Sequence, residues 1–158
     1  MSPKAEGGGG GVRHAGLIAA RVRGFWRGVL IEGPAGAGKS DLALRALCQG
    51  FALVADDRAV LWTVAGRLYG RAPDTLFGLL EVRGLDVVPT PAIPLAEVAL
   101  IARCGLPEPV PERIPEPQFV SILGVSLPRI DIDPREASAP AKLRRALSHF
   151  ADAHKRRI

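Results

Sequence analysis

The chain has 158 residues, enough for one domain with its own core. Apolar residues make up 47% of it and charged residues 23%, an ordinary globular balance, and no apolar run approaches the roughly 18 residues needed to cross a bilayer. Two cysteines outside any CxxC or Cys/His cluster exclude a disulfide scaffold and a zinc site, and a formal charge of +5 spread along a chain with 5% aromatics argues against a nucleic-acid groove.

Residues 1–11 read as a flexible Gly-rich leader with no signal-peptide pattern, so a cytoplasmic protein is expected, with residues 12–158 as its single domain. Val12 to Ala20 is a candidate first strand. Arg21 to Arg27 reads as a basic, exposed turn around Gly24, and Gly28 to Glu32 as a strand buried on both faces. Lys39 to Gln49 has the pattern of a helix stopped by Gly50, with Cys48 as a small buried residue in it. Phe51 to Ala55 is a second buried strand. Val60 to Val64 and Arg67 to Gly70 form a hairpin around Ala65-Gly66. A short helix is expected over Asp74 to Leu80, after Pro73, then an extended Asp86 to Pro94 and a strand at Val98 to Ala102. Pro107 to Pro117 holds five of the fourteen prolines and reads as an exposed loop. Phe119 to Leu123 and Arg129 to Ile132 are short strands around Gly124. Ala139 to Ala153 is a closing helix, and His154 to Arg157 a solvated basic end. Strands alternating with helices predict an α/β fold: a mixed sheet with flanking helices.

The strongest chemical signal is Gly33-Pro34-Ala35-Gly36-Ala37-Gly38-Lys39-Ser40, which matches the phosphate-binding pattern G-x-x-x-x-G-K-[ST]. An apolar strand precedes it and a helix follows, as the mechanism requires. Glycines let consecutive N–H groups point inward, and the helix N-terminus adds partial positive charge. Lys39 would reach the outer phosphates of ATP, and the Ser40 hydroxyl is placed to hold Mg²⁺.

The second signal is a buried run ending in two carboxylates, Asp56 and Asp57. Fifteen residues separate Ser40 from Asp56, room for one helix down and one strand back, which returns the acids to the phosphate edge. One carboxylate can serve the metal and the other can act as general base. Standing alone, the pair would read as a solvated turn. In Leu80-Glu81-Val82-Arg83-Gly84-Leu85, Glu81 is a candidate metal ligand and Arg83 a phosphate clamp; the plainer reading is a surface ion pair closing a helix. His14 alone reads as structural.

In order along the chain, Arg13-His14-Ala15, the strand and P-loop over 28–40, Leu53-Val54-Ala55-Asp56-Asp57-Arg58, Arg71-Ala72-Pro73, Leu80 to Leu85 and Ile122-Leu123-Gly124-Val125 resemble the catalytic domain of the HPr kinase/phosphorylase family, in its short proteobacterial form without the N-terminal domain. The resemblance implies a P-loop kinase fold related to phosphoenolpyruvate carboxykinase. It implies an enzyme that moves a phosphoryl group from ATP, with Mg²⁺, to a serine of the phosphocarrier protein HPr. It also implies removal of that group with inorganic phosphate, releasing pyrophosphate, and a homo-oligomer, a hexamer in the family manner. His14, Lys39, Asp57 and Arg113 match the family's active-site positions, with Asp57 as proton acceptor and, in reverse, donor. Ser40 and Glu81 match its Mg²⁺ ligands, and Leu80 to Pro89 its catalytic loop. A few extra residues around Arg21 to Trp26, and Asp133 to Ser138 where the family carries an Arg- and Gly-rich segment, depart from the pattern and bear chiefly on the phosphorylase half. Two rivals remain on the sequence: a P-loop kinase of a small metabolite, and an ATP-sensing module that docks on a signalling protein without phosphoryl transfer.

Overall fold

The structure is a computed structural model that describes residues 10–105 and 112–156. Five elements lead to the first carboxylates: β1 (Gly11–Arg13), β2 (Gly16–Val22), β3 (Phe25–Glu32), α1 (Lys39–Leu47) and β4 (Ala52–Ala55). Then come β5 (Ala59–Val64), β6 (Arg67–Arg71), a 3₁₀ turn at Asp74–Leu76, β7 (Leu79–Val82) and β8 (Asp86–Pro89). The chain closes with β9 (Ala96–Cys104), β10 (Gln118–Ile122), β11 (Val125–Ile132) and α2 (Ala139–Arg156).

Nine strands form one mixed sheet in the order β1-β5-β6-β9-β3-β2-β4, with the β10–β11 hairpin attached to β9 through β11; β7 and β8 pair separately. The apolar runs of β3 and β9 lie side by side and parallel at its centre, from Arg27 opposite Glu97 to Glu32 opposite Arg103. β9 is bordered by β6 at its beginning and by β11 at its end.

The two ends of this strand order meet. Asp56 to Arg58 alone carry the chain from β4, at one end, to β5, near the other, and His14-Ala15 do the same from β1 to β2. Arg13 pairs with Ala59 and Leu17 with Ala55, the same antiparallel register on both sides of the break. β1–β2 and β4–β5 are thus two halves of one long ribbon, interrupted at His14-Ala15 on one strand and at Asp56 to Arg58 on the other.

The curled sheet encloses one core, built from Leu17, Leu30, Val54, Leu61, Leu68 and Ile101. Its outer face carries a second core, in which Ile18, Val29, Ile31 and Leu100 lie under Leu42 and Ala46 of α1 and Leu143 and Leu147 of α2. Burying each such leucine or isoleucine contributes about 1.5–3 kcal/mol. α1 has its buried residues Leu42, Ala43 and Ala46 on one side, an Asp41–Arg45 pair 3.0 Å apart on the other, and Gly50 with φ 88 just past its end.

Four expectations change. The turn expected over Arg21 to Arg27 is present around Gly24 and exposed, but shorter: Arg23-Gly24, with φ 53 and 84, is the two-residue tip of a hairpin whose strands take up the rest of the segment, and Arg21 stacks on Trp26 with its guanidinium 5.0 Å from the ring centre. The helix expected over Asp74 to Leu80 shrinks to one 3₁₀ turn, because Gly78 takes φ 72 and Leu79 opens β7. Leu80 to Leu85 is therefore strand and turn, not the end of a helix. Cys48 is exposed just past α1 rather than buried in it, since the helix stops one residue before it. The leader over 1–11 lies outside the described residues except for Gly10 and Gly11, which opens β1, and so does part of the proline-rich loop.

Candidate active site

The P-loop joins β3 to α1. Gly33, Gly36 and Gly38 take φ of 151, 80 and 101, conformations that side-chain-bearing residues avoid. A Cβ on Gly33 would stand 2.7 Å from the Cys104 carbonyl oxygen, so the loop starts in backbone contact with the end of β9. Gly36 has nothing within 4 Å of the same point, and faces open space. Gly105, with φ 73, supports the loop from below, where a Cβ would lie 3.2 Å from Ala37 and from Pro34. The Lys39 ammonium donates to the carbonyl oxygens of Gly33 at 2.5 Å and Pro34 at 3.1 Å, bridging its own loop. The Leu42 amide donates to Gly38 O at 2.9 Å and begins the helix directly under the loop.

β4 runs parallel to β3 with β2 between them, so its end returns to the P-loop edge. There the Ser40 hydroxyl donates to Asp56 Oδ1 at 2.8 Å. The other oxygen, Oδ2, accepts the Glu81 backbone N–H at 2.9 Å, which hooks the β7–β8 hairpin onto the same carboxylate. Asp57 follows with φ 65, and the Arg58 amide closes back on Asp56 O at 2.7 Å. That is a three-residue γ-turn with an aspartate at its strained centre. Asp57 is exposed, and its carboxylate makes no hydrogen bond or ion pair among the described residues.

The remaining candidates are less uniform. His14 is exposed at the ribbon's bend, beside the acid turn, and its neighbour Arg13 pairs at 2.6 Å with Glu32, the residue before the P-loop. Glu81 is exposed on β7, and Arg83 is exposed at the hairpin tip. Arg113 is exposed in the approach to β10, and no hydrogen bond or ion pair among the described residues ties it to the P-loop. Among the described residues no three His, Cys, Asp or Glu side chains form a metal cage. Magnesium does not need one, because a hydroxyl, one or two carboxylates and substrate phosphates suffice, and Ser40, Asp56 and Glu81 offer hard oxygen donors of that kind.

The underside of the site was not visible in the sequence. Burial pushes the Cys104 thiol up to about 11, against the pull of the Lys39 ammonium and with a further push from Asp133. Asp133 is itself held below the usual carboxylate range by the Arg135 backbone N–H and guanidinium. These residues are far apart in the chain, and only the β9–β11 pairing brings them under the P-loop.

A family model described as HPr Serine kinase C-terminal domain matches residues 14–93, from the ribbon bend through the P-loop, the acid turn and the hairpin. The chain belongs to this family. HPr kinase/phosphorylase of Clostridium tetani is 42% identical to it over 66 residues, 42% of this chain and 22% of that protein. The enzyme of the same description from Malacoplasma penetrans is 42% identical over 64 residues, 40% of this chain and 21% of its own length. The matched part thus spans about a fifth of these relatives. The structure described as the Hpr(Ser) kinase/phosphatase from Coxiella burnetii superposes with a TM-score of 0.73 at 24% identity, covering 93% of this chain and 97% of that one, and shows the same fold. Arg113 lies beyond the residues matched to the HPr serine kinase family, whereas the other candidate site residues lie within them.

Proposed function

We propose that this HPr kinase C-terminal domain transfers the terminal phosphoryl group of ATP to a serine hydroxyl of the phosphocarrier protein HPr, and returns it to inorganic phosphate as pyrophosphate. The observation that carries the reading is the acid turn. An exposed aspartate with free lone pairs is held on a strained backbone next to a carboxylate that already touches the P-loop serine. Strain of this kind costs about 1–3 kcal/mol and gathers at working sites. The descriptions of the Clostridium and Malacoplasma relatives support the choice of HPr as acceptor.

In this mechanism the amides of Gly36 to Ser40 and the Lys39 ammonium bind the phosphates. Lys39 leaves its bridge to Gly33 and Pro34 to neutralise charge spreading over the transferred group. Ser40 and Glu81, with Asp56 oriented between them, would hold Mg²⁺, which when bound supplies charge neutralisation to the phosphate oxygens. Asp57 accepts the serine proton as the hydroxyl attacks, and returns it to the leaving serine oxygen in the reverse direction. His14, beside the turn, and Arg113 are assigned to the catalytic set with Lys39 and Asp57, and Arg83 a supporting contact to phosphate. A homo-oligomer, hexameric as the family resemblance implies, and a cytoplasmic setting accompany the reading. No helix among the described residues is long and apolar enough to cross a membrane.

The test is incubation with HPr, Mg²⁺ and labelled ATP, then addition of inorganic phosphate. Label should enter HPr and then leave as pyrophosphate. Asp57→Asn should abolish transfer while nucleotide binding persists. Binding without transfer in the unaltered chain would select the ATP-sensing module instead, and transfer to a small metabolite but not to HPr the other rival.

A further inference from the structure

The β11–α2 turn lies against the last glycine of the P-loop, and one side chain holds it there. Pro134 is buried, and its ring is 3.5 Å from where a Cβ on Gly38 would stand. Arg45, on the exposed side of α1, donates to Pro134 O through Nη2, to Glu136 O at 3.1 Å through Nη1, and to Asp41 Oδ2 at 3.0 Å through Nε. All three nitrogens of the guanidinium are thus used, one inside α1 and two on the turn. Apart from β11, paired to β9 as far as Ile132, and the buried start of α2, which bring the turn to the loop, no other hydrogen bond among the described residues joins the turn to α1 or the P-loop. It closes on itself from the Glu136 amide to Asp133 O at 3.2 Å, and Lys142 pairs with Glu136, but both bonds join it only to its own side.

We infer that Arg45 is a positioning residue for the phosphate cradle: it clamps the Asp133–Glu136 turn onto Gly38 and so fixes the amides that follow that glycine. The inference rests on the reading of the P-loop as a nucleotide site. Gly38, at φ 101, is the most freely hinged residue between the curled loop and the helix. With the Pro134 ring against it, the amides of Lys39 and Ser40 are aimed before any ligand arrives. Without the clamp the turn can lift, and the hinge relaxes. The contacts of Lys39 with Gly33 and Pro34, and of Ser40 with Asp56, do not pass through Arg45 and remain. The expected loss is therefore partial and of the size seen when an outer support of a binding site is removed, about tenfold.

The experiment is calorimetric titration of the full chain with Mg–ATP, with a thermal melt of each variant. Arg45→Met, which keeps the apolar stem, should bind about tenfold more weakly and still melt cooperatively. Pro134→Ala should weaken binding similarly, and the double variant should add little to either alone, because both act on one contact. If Arg45→Met gives no cooperative melt, Arg45→Lys decides in its place, since one ammonium cannot reproduce three directed bonds. Unchanged affinity in the deciding variant, or fully additive losses in the pair, would overturn the positioning role. An unaltered chain that takes up no Mg–ATP would overturn the nucleotide reading itself, and the role with it.

Discussion

Asp57→Gly is expected to leave the folded protein at least as stable as before while removing phosphoryl transfer. Asp57 takes φ 65 at the centre of a γ-turn, and a side-chain-bearing residue in that region costs about 1–2 kcal/mol. Glycine relieves this but adds about 0.5–1 kcal/mol of chain entropy to the unfolded state. The carboxylate makes no hydrogen bond or ion pair among the described residues, so little native interaction is lost with it. The balance falls between about 0 and 1.5 kcal/mol of added stability, a rise of at most about 6 °C in melting temperature for a domain of this size. Removing a general base should lower transfer by about 10²–10⁴. The assay pairs urea and thermal midpoints with label transfer to HPr, with Asp57→Asn as the variant that keeps shape and strain. A loss of more than about 1 kcal/mol in Asp57→Gly would mean that the side chain holds the fold, and retained transfer in either variant would end its role as base.

Other outcomes follow from the same geometry. Asp56→Ala removes the acceptor of both the Ser40 hydroxyl and the Glu81 amide, so hydrogen exchange at Glu81 should quicken together with a loss of Mg–ATP affinity; exchange that stays slow would show that the hairpin is anchored elsewhere. Gly33→Ala should destabilise the unliganded protein more than Gly36→Ala, because its Cβ meets backbone at 2.7 Å while that of Gly36 meets open space; chemical denaturation showing equal losses would refute the close approach to β9. Cys104 stays protonated in the fold where the unfolded chain, near the ordinary thiol value of 9.0, ionises, so unfolding free energy should fall as pH rises from about 9 to about 11. Cys104→Ala should lack that fall. At pH 8 a thiol reagent should modify the exposed Cys48 while leaving Cys104 untouched in the native protein.

The site was legible where chemistry and chain order coincide. The P-loop announced itself by glycines whose positive φ no other residue serves well, and the fifteen-residue interval to Asp56 foretold its return to the same edge. The hairpin at Ala65-Gly66 and the turns at Gly24 and Gly124 were readable from position, but the strands that run into Arg23-Gly24 from both sides were not, because basic residues such as Arg21 and Arg27 look solvated whichever way their backbone goes. The helix expected at Asp74 was overridden by Gly78 and by the pairing of Leu79 to Val82 with Asp86 to Pro89, which no local pattern specifies. The support under the P-loop was invisible for a deeper reason. Cys104, Pro134 and Arg45 acquire meaning only when β9 and β11 pair in parallel, a contact set by tertiary assembly rather than by periodicity.

The bent ribbon that sews β1–β2 to β4–β5 places His14 and the acid turn on the seam itself. The aspartate proposed as proton acceptor and the proposed phosphate cradle therefore come into alignment only once strands distant in sequence have zipped together, so catalytic competence and folding should arrive in one late step. Chains dominated by such remote pairings fold in milliseconds to seconds rather than microseconds. A refolding protein should regain nucleotide uptake no sooner than it regains its full resistance to protease, and a fragment cut anywhere between the two halves of the ribbon should have neither.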